Sequence, residues 1–96
     1  MTWPVVLRRR AVLEVQQAHD WYERQRAGLG EAFLGEFEGV LAILEEHPLR
    51  FPIVHATVRR VLTRRFPYSI LFRIRDEQVV VLSVVHQARD PRRWPR

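Results

Sequence analysis

Apolar residues in the first half of the chain recur at helical spacing. In AVLEVQQAHDWYERQRAG they fall at Ala11, Val15, Ala18 and Tyr22, which is one face of a helix. Gly28 supplies a stop. LGEAFLGEFEGVLAILEEHP repeats the pattern at Phe33, Phe37, Val40 and Leu44, with Leu34 and Leu41 widening the stripe, and Pro48 ends it. The tight Gly-Leu-Gly elbow predicts an antiparallel helical hairpin. Gly35, Gly39 and Ala42 form a second stripe, of small residues. Glycine inside a helix costs about 1 kcal/mol relative to alanine, so this stripe predicts close approach of another backbone. Ahead of the hairpin, WPVVLRRR (Trp3 to Arg10) reads as a short first strand.

The period then changes. VRRVLTRR (Val58 to Arg65) reads as a strand. In PYSILFRIR (Pro67 to Arg75), Tyr68, Ile70, Phe72 and Ile74 alternate with Ser69, Leu71, Arg73 and Arg75. Asp76-Glu77 predicts a tight hairpin turn. QVVVLSVVH (Gln78 to His86) is apolar on both faces, as a central strand is. The order β-α-α-β-β-β predicts an α+β domain spanning residues 1–96, its helical hairpin packed on one face of a small antiparallel sheet of three or four strands. Simple alternation puts Ile70, Phe72, Ile74, Val80, Leu82 and Val84 against Phe33, Phe37, Leu41 and Leu44. It leaves Leu71, Arg73, Arg75, Val79, Val81 and Val85 on the other face.

Composition narrows the chemistry. Without cysteine there is no disulfide, thiolate zinc site or cysteine nucleophile. The longest apolar run, Val79 to Val85, is broken by Ser83 and too short to span a bilayer. MTWPVVLRRR places its charges after its apolar stretch, the reverse of a secretory signal, so a soluble cytoplasmic protein without membrane contact is expected. All the basic residues are arginine, which codon bias in a GC-rich genome explains. Codon bias does not explain their distribution. Residues 1–48 hold five Arg against eight acids, net −3; residues 49–96 hold eleven Arg against three acids, net +8. A basic rear half implies an anionic partner. His19, His47 and His55 lack ligand spacing with a carboxylate partner, so no metal site is expected, and no motif calls for a cofactor.

WYERQRAGLGEAFLGEF, HPLRFP, RRVLTRRFPYSILFRI and VVHQARDPRRW, in this order, resemble the RelE/ParE family of toxins from bacterial type II toxin–antitoxin systems. The resemblance implies a compact toxin neutralised by a cognate antitoxin, in a possible hetero-oligomer. It implies one of two targets: DNA gyrase in the ParE manner, or messenger RNA in the ribosomal A site in the RelE manner. A module that binds nucleic acid without toxicity is a third alternative. An acidic, apolar antitoxin tail is expected across the face holding Leu71, Arg73, Arg75, Val79, Val81 and Val85, or at the sheet edge.

For a ribonuclease, the resemblance points to His86 as acid–base group with Arg73 and Arg89 stabilising charge. The structural alternative for His86 is a residue that caps its strand. Two features oppose a ribonuclease: there is no lysine, and Ser69 stands where that branch tends to carry a basic residue. For a binding toxin, the expected surface is Arg64, Arg65, Arg89, Arg92, Arg93 and Trp94. Asp90 and Pro91 suit the N-cap and first position of a short helical turn that would present the last three. The bland alternatives are that Trp94 packs on the sheet, the arginines are merely solvated, and Trp21, Tyr22, Phe33 and Phe37 are hairpin and core contacts.

Overall fold

The computed structural model describes residues 2–89. The expected turn after Asp90, with Arg92, Arg93 and Trp94, lies outside the described residues. The element order is β1 (Val5–Leu7), α1 (Arg9–Gln25), α2 (Leu29–Glu46), a 3₁₀ turn (Pro48–Arg50), β2 (Ile53–His55), β3 (Val58–Leu62), β4 (Tyr68–Arg75), β5 (Gln78–His86) and a 3₁₀ turn (Gln87–Arg89).

The helical hairpin forms as its stripes dictate. Ala11, Val15 and Ala18 of α1 and Phe33, Phe37, Val40 and Leu44 of α2 are buried in one core. Gly28 sits in the left-handed region at φ 88°, where a side chain is strained. Gly30 has a different reason to be glycine: a Cβ there would stand 2.6 Å from the His19 carbonyl oxygen. Glu23 of α1 secures the elbow by accepting the Gly28 and Gly30 amides, each at 2.9 Å, which holds its carboxyl below the usual range. Gly35 and Gly39 do not follow the sequence expectation. Among the described residues nothing lies within 4 Å of a Cβ at either, so no described backbone comes close.

The sheet has five strands in the order β1-β5-β4-β3-β2. Two features go beyond the sequence reading. Ile53–His55 adds an edge strand, and β1 joins β5 in parallel, pairing Val5 to Val79 through Leu7 to Val81, so the sheet is mixed. The Asp76-Glu77 turn forms as expected, both residues at positive φ, which suits the twist of a two-residue hairpin.

β4 alternates as its sequence predicts, but β5 does not. Leu71 pairs with Ser83 and Phe72 with Val81, so Leu82 is an extra residue that shifts the alternation. Val79 and Val81 before the bulge and Val84 after it therefore share the helix side with Ile70 and Phe72. This corrects the face assigned to Val79 and Val81. Both are fully buried in the core and offer no surface to a partner. Val80 pairs with Arg73 on the opposite face instead of meeting the helices. Leu71, on that face, is also buried, which leaves Arg73, Arg75 and Val85 as the members of the set with exposed area.

Candidate target-binding surface

Three sequence-distant segments meet where β3 ends, β4 begins and β5 ends. The turn after β3 is held by one carboxylate. Glu36 of α2 accepts the Arg64 and Arg65 amides on Oε2 at 3.2 and 3.0 Å, and the Phe66 amide on Oε1 at 3.1 Å. Thr63 closes the turn from inside: its hydroxyl lies against the Phe66 and Tyr68 carbonyls, and the Tyr68 amide reaches that hydroxyl at 3.0 Å. The backbone is fixed while the Arg64 and Arg65 side chains remain exposed. The Arg65 guanidinium lies 5.2 Å from the Phe66 ring centroid, a cation–π contact.

The segment after β5 is tied to the same turn. The Gln87 amide donates to Pro67 O at 2.7 Å, and Gln87 Nε2 donates to Thr63 O and Tyr68 O at 3.1 and 3.2 Å. Arg89, at the end of that 3₁₀ turn, is exposed. Arg64, Arg65 and Arg89 thus project from one end of the sheet on backbones locked to each other.

An aromatic wall adjoins Arg89. The Tyr68 ring packs on Phe33, Tyr22 and His86 with centroids 5.1, 6.3 and 5.4 Å apart. Trp21, edge-on to Tyr22 at 5.1 Å, is half exposed. Trp21, Tyr22, Tyr68, His86 and Arg89 line a cleft of about 310 Å³. Burial raises the Tyr68 phenol above its ordinary value, against the pull of the Arg89 charge, and burial likewise raises Tyr22. Both phenols are therefore neutral donors at neutral pH.

Of the three residues assigned to catalysis, His86 and Arg89 share the aromatic cleft, and Arg73 does not join them. The Ala88 amide donates to His86 Nδ1 at 3.1 Å, which leaves the neutral ring's proton on Nε2 and matches the strand-capping alternative. His86 pairs with Tyr68 on the helix side, while Arg73 lies five positions along β4 on the opposite face, roughly 16 Å away along the strand. Arg73 Nε is buried without a hydrogen-bond partner among the described residues. Arg75 is exposed, 4.0 Å from Asp76. Arg89 borders both faces. It lines the aromatic cleft and also a cleft of about 240 Å³ on the opposite face, with Leu71, Leu82 and Val85.

Sequence reasoning missed the residues that hold this surface. Glu36 and Gln87 read as ordinary polar positions, because their partners lie 28–30 and 19–24 residues away. Trp21 carried a usable signal: it falls off the Ala11, Val15, Ala18 and Tyr22 stripe, so the core does not account for it.

The described residues thus form a two-helix hairpin on one face of a mixed five-stranded sheet, with a basic end. The family described as "ParE toxin of type II toxin-antitoxin system, parDE" matches residues 5–91, and the chain belongs to that family. Among solved structures, the chromosomal ParDE system from P. aeruginosa is similar at TM-score 0.75 and 18% identity, over 88% of this chain and 96% of that one. The RelBE2 toxin–antitoxin complex from Mycobacterium tuberculosis is similar at TM-score 0.63 and 24% identity, over 90% of this chain and 99% of that one. No curated protein matches the sequence significantly. Among the described residues no helix is long and apolar enough to cross a membrane.

Proposed function

We propose that this toxin acts by binding its target rather than by chemistry, in the ParE manner, with DNA gyrase as that target in the cytoplasm and a cognate antitoxin as its neutralising partner in a hetero-oligomer. Arg64, Arg65 and Arg89 are the contact residues, joined by Arg92, Arg93 and Trp94 beyond the described residues. The observation that carries this reading is the basic end itself. Three exposed arginines stand on turns that Glu36 and Gln87 lock together. A stiff surface of charged and aromatic anchors is what recognition without chemistry needs. The distance between His86 and Arg73 also supports binding over cleavage.

The contact of Tyr68 with His86 beside Arg89 favours a second reading, RelE-like cleavage of messenger RNA on the ribosome. A supercoiling assay and a cell-free translation assay with purified toxin separate the two. Inhibited gyrase with intact messages is expected. Messages cut in the ribosomal A site, with gyrase unaffected, would replace the first reading by the second.

A further inference from the structure

The edge of β5 beside α1 stays open past the end of β1. The Arg8 amide donates to Val81 O at 2.9 Å, the last backbone bond made to this edge among the described residues. Beyond the bulge the Val84 amide turns to the same side and is taken by Glu14. The Gln87 amide turns the other way, to Pro67 O. By strand alternation the Val84 C=O and the His86 N–H therefore face the open side. Among the described residues neither has a hydrogen-bond partner. Their spacing is one that a single residue of a parallel strand bridges.

Two adjoining clefts, of about 220 and 310 Å³, lie at this edge and share Trp21, Tyr68, His86 and Arg89. Trp21 is the one exposed aromatic residue among those described. An indole in water beside an open strand edge offers a partner both apolar area and backbone pairing. Charge sets the sign of that partner. Arg89 is exposed and lines both clefts. The one carboxylate among the described lining residues, Glu14, is already engaged by the Val84 amide, the Ser83 hydroxyl and, at 3.4 Å, Arg10. The charge left to meet a partner is that of Arg89.

We infer that this corner of the toxin takes an extended acidic segment of its target protein. The segment runs parallel to β5 and bridges the Val84 C=O and the His86 N–H. It lays an apolar side chain on Trp21 and places a carboxylate on Arg89. The inference rests on the function proposed above and adds to it the kind of surface the toxin recognises. Trp21, which the core does not need, becomes the anchor of that contact.

The probe is purified DNA gyrase. Trp21→Glu removes the indole and sets a like charge against the segment. Because Trp21 is half exposed, the variant should melt close to the wild-type temperature. It should bind gyrase at least ~30-fold more weakly, a loss of about 2 kcal/mol, and inhibit supercoiling correspondingly less. Trp21→Phe should keep most of the affinity. Leu13→Glu adds the same charge at an exposed position of α1 outside both clefts and should bind as wild type. Hydrogen exchange run in the complex and read after dissociation needs no variant, so it decides the matter even if Trp21→Glu does not fold. Gyrase should protect the His86 amide. Equal affinity of Trp21→Glu and wild type overturns the inference, as does an equal loss in Leu13→Glu. A His86 amide that exchanges as fast in the complex as in free toxin also overturns it, as does one protected by the antitoxin and not by gyrase. A wild-type toxin that does not bind gyrase overturns the proposed target and this inference together. Gyrase inhibition that survives in Trp21→Glu overturns this inference alone.

Discussion

Glu14 and Val84 stand 70 positions apart in the chain, and Glu14 Oε1 accepts the Val84 amide hydrogen at 2.8 Å. The same oxygen accepts the Ser83 hydroxyl at 2.8 Å. The location explains the need. β1 ends at Leu7, opposite Val81, so among the described residues β5 has no strand partner on that side beyond its bulge. α1 runs there instead, and a carboxylate on its flank takes the amide that a strand would have taken. Removing it would leave a largely buried donor unpaired.

Glu14→Ala should therefore destabilise the fold by about 2–3 kcal/mol. In a domain of this size that lowers the melting temperature by roughly 10–20 °C. Glu14→Gln keeps an acceptor and should cost less than half as much. Thermal denaturation of the two variants checks this, and equal melting temperatures for Glu14→Ala and wild type would show that the bulge holds without the clamp.

Replacing Arg64, Arg65 and Arg89 together by alanine should abolish growth inhibition and gyrase inhibition. The three side chains are exposed, so the melting temperature should move little, equivalent to less than about 1 kcal/mol. Glu36→Ala should weaken toxicity by another route, because it releases the turn that aims Arg64 and Arg65. Full toxicity in the triple variant would mean that these arginines are only solvated.

His86→Ala distinguishes mechanisms. A toxin that acts by binding should retain its toxicity. A ribonuclease that uses the imidazole should lose roughly 10²–10⁴-fold in cleavage. Single-turnover cleavage on programmed ribosomes, beside the growth assay, gives the answer.

His19 makes the hairpin pH-sensitive. Its Nδ1 meets Asp20 at 2.9 Å and its Nε2 meets Glu31 of α2 at 3.0 Å, and these two carboxylates, Asp20 first, raise its pKa above 6.5. A raised folded-state value means that protonated His19 favours the folded chain. That contribution is complete below the unfolded value and is lost as pH rises through the folded one. The melting temperature should decline modestly from about pH 6.5 upward through the raised value, and His19→Gln should flatten that part of the curve. A decline of the same size in the variant would assign the effect to other groups.

Much of this architecture is written in local pattern. The stripe at Ala11, Val15 and Ala18, the alternation from Tyr68 to Ile74 and the Asp76-Glu77 turn follow from helix and strand periods, which neighbouring residues set between themselves. The net +8 of the rear half needs no fold to be read, and the family resemblance rests on the same ordered motifs. What the chain could not disclose by pattern depends on partners far along it. A run apolar on both faces carries no mark of the residue at which its alternation slips, so the bulge at Leu82, and with it the burial of Val79 and Val81, is seen only in the fold, where Glu14 meets Ser83 and Val84. β1 lies beside β5 because tertiary packing brings Val5 to Val79, and β2 is too short for a period to register. The basic end is likewise a product of the fold: Glu36 and Gln87 bring Arg64, Arg65 and Arg89 together by bonds to backbone amides and carbonyls, which every residue carries and no sequence pattern marks.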